Sequence, residues 1–126
     1  MISRTKPPFN ADKAQALISV VIPAYNEADY IAETVSSVRT AALEVDGPVE
    51  IIVVDNNSSD DTAEIARSLG AKVVFEPVNQ IARARNSGAS FASGRYLVFV
   101  DADTRLQGDI LAKVAKNLAS GEVPAE

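Results

Sequence analysis

Three runs, 17–22, 51–54 and 95–100, apolar but for Ser19 and Arg95, constrain this chain most, because each is as long as a strand and too continuous to leave one face in water. Strands covered on both faces belong to parallel sheets, and parallel neighbours need crossover segments between them. The intervals supply those segments. Ile31, Val35 and Val38 recur at helical spacing after the first run, and Ala63, Ala66 and Leu69 after the second. Lys72 to Phe75 reads as a third, shorter strand, followed by a helix over 79–93 with Ile81, Ala84, Gly88 and Phe91 on one face. Arg95 to Val100 is then the fourth strand, and Ile110, Val114 and Leu118 mark a closing helix. The expected fold class is α/β: a doubly wound, mainly parallel sheet with strand order 3-2-1-4 and alternating helices.

Punctuation agrees with this order. Pro23 closes the first strand, Asp46-Gly-Pro48 breaks the chain before the second, and Gly70 and Gly94 end helices. Asn26 is expected to cap the first helix, and Asn57 to accept a left-handed turn. The segment 1–16, with Pro7, Pro8 and scattered charges, reads as a flexible tail; 17–120 form the α/β domain and 121–126 a C-terminal tail. The longest apolar runs fall far short of the ~20 residues a spanning helix needs, so a cytoplasmic and at most membrane-peripheral protein is expected.

Composition narrows the chemistry. The chain has no cysteine and no histidine. Thiolate and imidazole chemistry are therefore excluded, leaving carboxylates as metal ligands and acid/base groups. A net charge of -5 with dispersed basic residues argues against nucleic acid as a partner. The fourth strand stops at Asp101 and Asp103, which one intervening residue sends to the same side of an extended backbone. Two hard oxygen ligands at the carboxyl end of a parallel strand suit one divalent cation, or a cation and a sugar hydroxyl, although the same acids could simply serve the next helix's first turn. In the expected order Tyr25, Glu27, Asp55, Asp101 and Asp103 surround one crevice. Neither a G-x-G-x-x-G nor a G-x-x-x-x-G-K segment is present, so a diphosphate there would need neutralising by a metal rather than cradling by glycines.

The segments Val20-Val-Ile-Pro-Ala-Tyr-Asn-Glu27, Ile51-Ile-Val-Val-Asp-Asn-Asn-Ser-Ser-Asp-Asp-Thr62, Ala84-Arg-Asn86 and Phe99-Val-Asp-Ala-Asp103, in this order, resemble family 2 glycosyltransferases of the GT-A fold. The resemblance implies a metal-dependent, inverting transferase that moves a sugar from a UDP- or GDP-linked donor to an acceptor hydroxyl of a saccharide, lipid or other molecule. It implies that Pro23, Tyr25 and Glu27 line the nucleotide pocket, that Asp55 contacts the base and Asp101 the ribose, and that Asp103 holds Mg²⁺ or Mn²⁺. Each residue also has a plainer reading: Tyr25 as an edge aromatic, Glu27 as a first-turn acid, Asp55 as organiser of its Asn/Ser turn, and Arg83 and Arg85, candidates to face the diphosphate from their helix, as solvated helix residues.

Family members continue beyond the Asp-x-Asp segment into an acceptor portion that carries a general base. Asp109, Glu122 and Glu126 follow it here, and none sits in a recognisable base motif. The expectation is thus a donor-binding half, truncated relative to the family, or a homo-oligomer that pairs the otherwise open edge of strand 95–100. The rivals are a non-catalytic nucleotide-binding or interaction module and, more weakly, nucleotidyl transfer.

Overall fold

The computed structural model describes residues 2–5 and 15–121. Its elements are β1 (Ile2–Thr5), β2 (Ile18–Ala24), α1 (Ile31–Ala42), β3 (Val49–Asp55), α2 (Thr62–Ser68), β4 (Lys72–Phe75), α3 (Ile81–Phe91), β5 (Tyr96–Phe99) and α4 (Ile110–Ala119). They form one sheet in the order β1-β5-β2-β3-β4. Counted from Ile18, the parallel strands run 3-2-1-4 as the sequence predicts.

One expectation is corrected. β1 pairs antiparallel with β5, Ile2 opposite Phe99 and Thr5 opposite Tyr96. Part of the presumed loose tail is therefore an edge strand, and the edge of strand 95–100 is occupied from within the chain. A free edge with unpaired N–H and C=O groups was the reason to expect a partner copy, and that reason is gone. Residues 6–14 and the tail from 122 lie outside the described residues.

The strands are covered on both faces. Ile18, Val20, Ile22 and Ala24 of β2 point into a core shared with Ile31, Val35 and Val38 of α1, Ala66 of α2 and Leu111 and Val114 of α4. Val21, Ile52, Val54, Leu97 and Phe99 face α3 through Ala84 and Ala89. This two-sided covering explains why the runs lack period-two alternation.

Pro23 does not end β2, as its sequence context suggests, but lies within it, opposite Val54. Asn56 donates its N–H to Ala24 and Val100 to the Val21 carbonyl, so alternate β2 residues face β3 and β5. Pro23 shares the orientation of Val21. Its missing N–H thus faces β5 just where that ladder, whose last pair is Val21 with Phe99, has finished. The sheet consequently parts between β2 and β5, and a crevice opens at that point.

At the opposite end the strands are tied by a polar cluster. Ser19, fully buried, donates its hydroxyl to Glu50 Oε2 and accepts the Gly94 N–H at 2.7 Å. Glu50 Oε2 also accepts the Ser93 N–H at 2.6 Å and its hydroxyl at 2.7 Å. Burial alone would raise the Glu50 carboxyl, but these donors and the charge of Lys72 outweigh it and hold the group below 4.5. A depressed folded-state value means that the unfolded chain takes up the proton first. The stabilisation is complete above 4.5 and disappears as the pH falls through the folded value. Glu50→Gln is expected to flatten the acid limb of stability below 4.5, where the wild-type chain loses this contribution. Urea midpoints measured across that range check this; an acid slope unchanged from wild type would remove Glu50 as its source.

Candidate functional site

The parting of the sheet forms a cavity of ≈ 440 Å³ lined by Pro23, Ala24, Tyr25, Glu27, Asn56, Asn79, Ile81, Asp101, Ala102 and Asp103. Every predicted site residue except Asp55 contributes to its wall. Asp101 and Asp103 are exposed, and Ala102 between them is buried in the core. Both acids line the cavity, but not by the strand alternation expected of them: β5 ends at Phe99, and residues 101–104 form a turn closed by the Thr104 N–H donating to the Asp101 carbonyl at 3.0 Å. Phe99 lies opposite Val21, and continuing that register by two residues brings Asp101 level with Pro23.

Two loops shape one wall of the cavity. Asn26 takes a left-handed conformation, φ 52°, so it does not cap α1, whose first residue is Ile31. Its side chain instead crosses to the neighbouring loop, where Oδ1 accepts the Ser59 N–H at 2.8 Å, while its own N–H donates to Ser58 Oγ at 2.9 Å. Asp60 accepts from Thr62 N–H at 3.0 Å and Ala28 N–H at 3.1 Å, and Thr62 Oγ1 accepts the Glu27 N–H at 2.9 Å. These bonds lock the segment carrying Tyr25 and Glu27 to the start of α2. Asn57 adopts the left-handed turn expected of it, φ 64°.

Asp55 is buried, and its Oδ1 accepts the Ser58 N–H at 2.9 Å. It organises the turn, the plainer of its two sequence readings. Its neighbour Asn56 is the residue that sequence reasoning missed. Asn56 Nδ2 donates to two backbone carbonyls, Glu76 at 3.1 Å and Val78 at 2.7 Å, and its own carbonyl accepts the Asn79 Nδ2–H at 3.0 Å. Carbonyls can only accept, so the amide nitrogen must face them. Asn56 Oδ1, to which no group among the described residues donates, is left for the cavity. Two polar residues ending an apolar strand were the available signal, but their division of labour depends on the approach of the 76–79 segment.

The electrostatics suit a cation. Burial, then the charges of Asp103 and Asp60, push the Glu27 carboxyl above 4.5. Among the described residues no three carboxylates converge as a ready-made metal cage. One carboxylate at Asp103, with Asp101 beside it and the remaining positions open to water and phosphate oxygens, matches how Mg²⁺ and its analogues bind with a diphosphate. The residues present thus fit a divalent ion. Neither Arg83 nor Arg85 lines the cavity; the Arg85 Nε is buried without a partner among the described residues. Asp109 sits at the start of α4, paired with Lys113 at 3.1 Å, and Glu122 and Glu126 lie outside the described residues. Among the described residues no helix is long and apolar enough to cross a membrane.

Comparison with known proteins agrees with this geometry. An uncharacterized glycosyltransferase of Haemophilus influenzae is 33% identical over 103 residues, covering 77% of this chain. The chain spans 40% of that relative's own length. The mannosyltransferase PcManGT of Pyrobaculum calidifontis, solved with GDP-Man and Mn²⁺, superposes with a TM-score of 0.72 at 29% identity, over 92% of this chain and 34% of the other. Glucosyl-3-phosphoglycerate synthase of Mycobacterium tuberculosis, solved with Mn²⁺, UDP-Glc and phosphoglyceric acid, gives 0.70 at 32% identity, over 93% and 46%. The fold is that of GT-A glycosyltransferases. The model of "Glycosyl transferase family 2" matches residues 19–123, and the chain belongs to that family.

Proposed function

We propose that this chain is the donor-binding part of a metal-dependent, inverting glycosyltransferase that uses a UDP- or GDP-linked sugar. The carrying observation is the outward pair Asp101 and Asp103, set by buried Ala102 on the cavity that Tyr25, Glu27 and Asn56 also line. Mg²⁺ or Mn²⁺ held by Asp103 would supply charge neutralisation for a departing diphosphate. Asp101 accepts from ribose hydroxyls. Tyr25, 51% exposed at the cavity, offers a face for the base, and Pro23 closes the wall behind it. In this reading the base-reading role expected of Asp55 falls to Asn56, which lines the cavity, while Asp55 stands behind it with Oδ1 accepting the Ser58 N–H. An acceptor hydroxyl attacks the anomeric carbon, its proton goes to a base outside the assigned residues, and the nucleoside diphosphate leaves. The neighbours solved with Mn²⁺ and UDP-Glc or GDP-Man support the donor class.

Calorimetric titration with UDP and GDP, each with and without Mn²⁺, tests this reading. Wild type is expected to bind one of them saturably and more tightly with metal. Asp103→Ala is expected to lose about 10–100-fold of that affinity in the presence of metal and little without it. Failure of folded wild type to bind either nucleotide defeats the proposal. Transfer of labelled sugar to an added acceptor then separates an enzyme from a nucleotide-binding module.

A further inference from the structure

Thr34 stands on the buried stripe of α1, 1% exposed, where an unbonded hydroxyl would be costly. Its Oγ1 donates at 2.5 Å to the carbonyl of Ala102, the residue between the two acids. The other acceptor in reach, the Tyr30 carbonyl one turn back, is at 3.1 Å. A hydroxyl has one proton, and the shorter contact takes most of it. On the adjoining turn of α1, Ser37 Oγ accepts the Leu106 N–H at 3.0 Å and donates to the Thr34 carbonyl at 2.8 Å. The Arg105–Glu33 ion pair spans the same gap in solvent, where such pairs contribute little. The turn itself carries the Thr104 N–H to Asp101 carbonyl bond at 3.0 Å. Helix α1 thus holds the acidic turn by its backbone, leaving both carboxylates unencumbered.

We propose that Thr34, seconded by Ser37, is a positioning residue that fixes the Asp101-Ala102-Asp103 turn for a divalent cation; this rests on the reading of the cavity as a metal-assisted donor site. Holding the Ala102 carbonyl sets the peptide plane that leads into Asp103, and burying the Ala102 methyl fixes the other side of the turn. Without the hydroxyl the turn still packs, but that plane is free to rotate. Residues that orient ligating carboxylates through hydrogen bonds typically govern metal affinity by about 10–100-fold.

The test is Thr34→Val, which keeps shape and removes the hydroxyl, beside Thr34→Ser, which keeps the hydroxyl. The readout is the factor by which Mn²⁺ tightens UDP or GDP binding, measured by calorimetry on the whole chain. Thr34→Val is expected to lose about 10-fold or more of that factor with metal-free binding unchanged, and Thr34→Ser to retain most of it. A full metal effect in Thr34→Val overturns the inference alone. Equal weakening with and without metal also overturns it, since that is what a packing role gives. Absence of binding by wild type overturns the donor-site reading and this inference together. Should Thr34→Val fail to fold, Ser37→Ala takes its place, and a wild-type metal effect there overturns the inference.

Discussion

Gly88→Val is expected to leave little folded protein, and Gly88→Ala to lose stability although alanine is the better helix former. A Cβ at this position of α3 would stand 2.3 Å from Val21 Cγ1 and 2.9 Å from Val54 Cγ2. Both valines lie in interior strands buried on each face, so neither can retreat without disturbing the opposite core. Replacing glycine by alanine within a helix gains about 1 kcal/mol, whereas overpacking costs about 1–3 kcal/mol and sometimes more. The balance is unfavourable for alanine and decidedly worse for valine, which adds two methyl groups to a contact already too short. Pushing α3 away from the sheet would also displace Asn79 and Ile81, which line the cavity at its N-terminal end. Urea unfolding reads the effect. Gly108, beside which a Cβ would meet nothing within 4 Å, is the control, and Gly108→Ala should stay within about 0.5 kcal/mol of wild type. Equal midpoints for Gly88→Ala and wild type would show that the close approach of α3 is not required.

The sheet could be read from sequence because two-sided burial writes itself into a strand as an unbroken apolar run, and the helices between declare their own period. β1 could not. Ile2-Ser-Arg-Thr5 is a four-residue edge strand whose pairing depends on a partner almost a hundred positions away, and an edge strand needs no continuous apolar signature. Pro23 misled for a related reason. Whether proline stops a strand depends on which side its absent N–H faces, and that is set by where β5 ends. Residue type alone makes Asn26 a helix cap, but its left-handed backbone and its bonds across to Ser58 and Ser59 belong to a meeting of two loops.

Within the site, the placing of Asp101 and Asp103 at the end of the fourth strand was legible because the apolar run stops there, but their arrangement was not: the segment is a turn with Ala102 buried and both acids exposed, where the sequence suggests extended backbone. Thr34 carried a weaker signal. A hydroxyl on the stripe of Ile31, Val35 and Val38 must find an acceptor, yet the sequence could not say that the acceptor would be the Ala102 carbonyl rather than its own helix. Asp55 and Asn56 show the limit most clearly. Adjacent polar residues at a strand's carboxyl end look interchangeable until the carbonyls of Glu76 and Val78 choose between them.

That choice gives the second large effect. Asn56→Ala is expected to cost about 2–3 kcal/mol of stability, because two inward carbonyls lose their donor and only water at the cavity can replace it. Asn56→Asp is expected to be worse than alanine, since it sets carboxylate oxygens against the carbonyls of Glu76 and Val78. Both variants should also weaken nucleotide binding, the first by removing the Oδ1 acceptor and both by loosening the 76–79 wall. With Nδ2 committed to the backbone, Asn56 offers a ligand only an acceptor; in this reading it takes the ring N–H of uracil or guanine, whereas the same ring position of cytosine is an acceptor and only its exocyclic amino group could donate. CDP is therefore expected to bind at least about 10-fold more weakly than the better of UDP and GDP, the size of one unmade hydrogen bond to a buried group. Competition among the three nucleotides on wild type, with thermal unfolding of both variants, decides the matter. Equal affinity for CDP would take base reading away from Asn56, while unchanged stability in Asn56→Ala would take away its structural role as well.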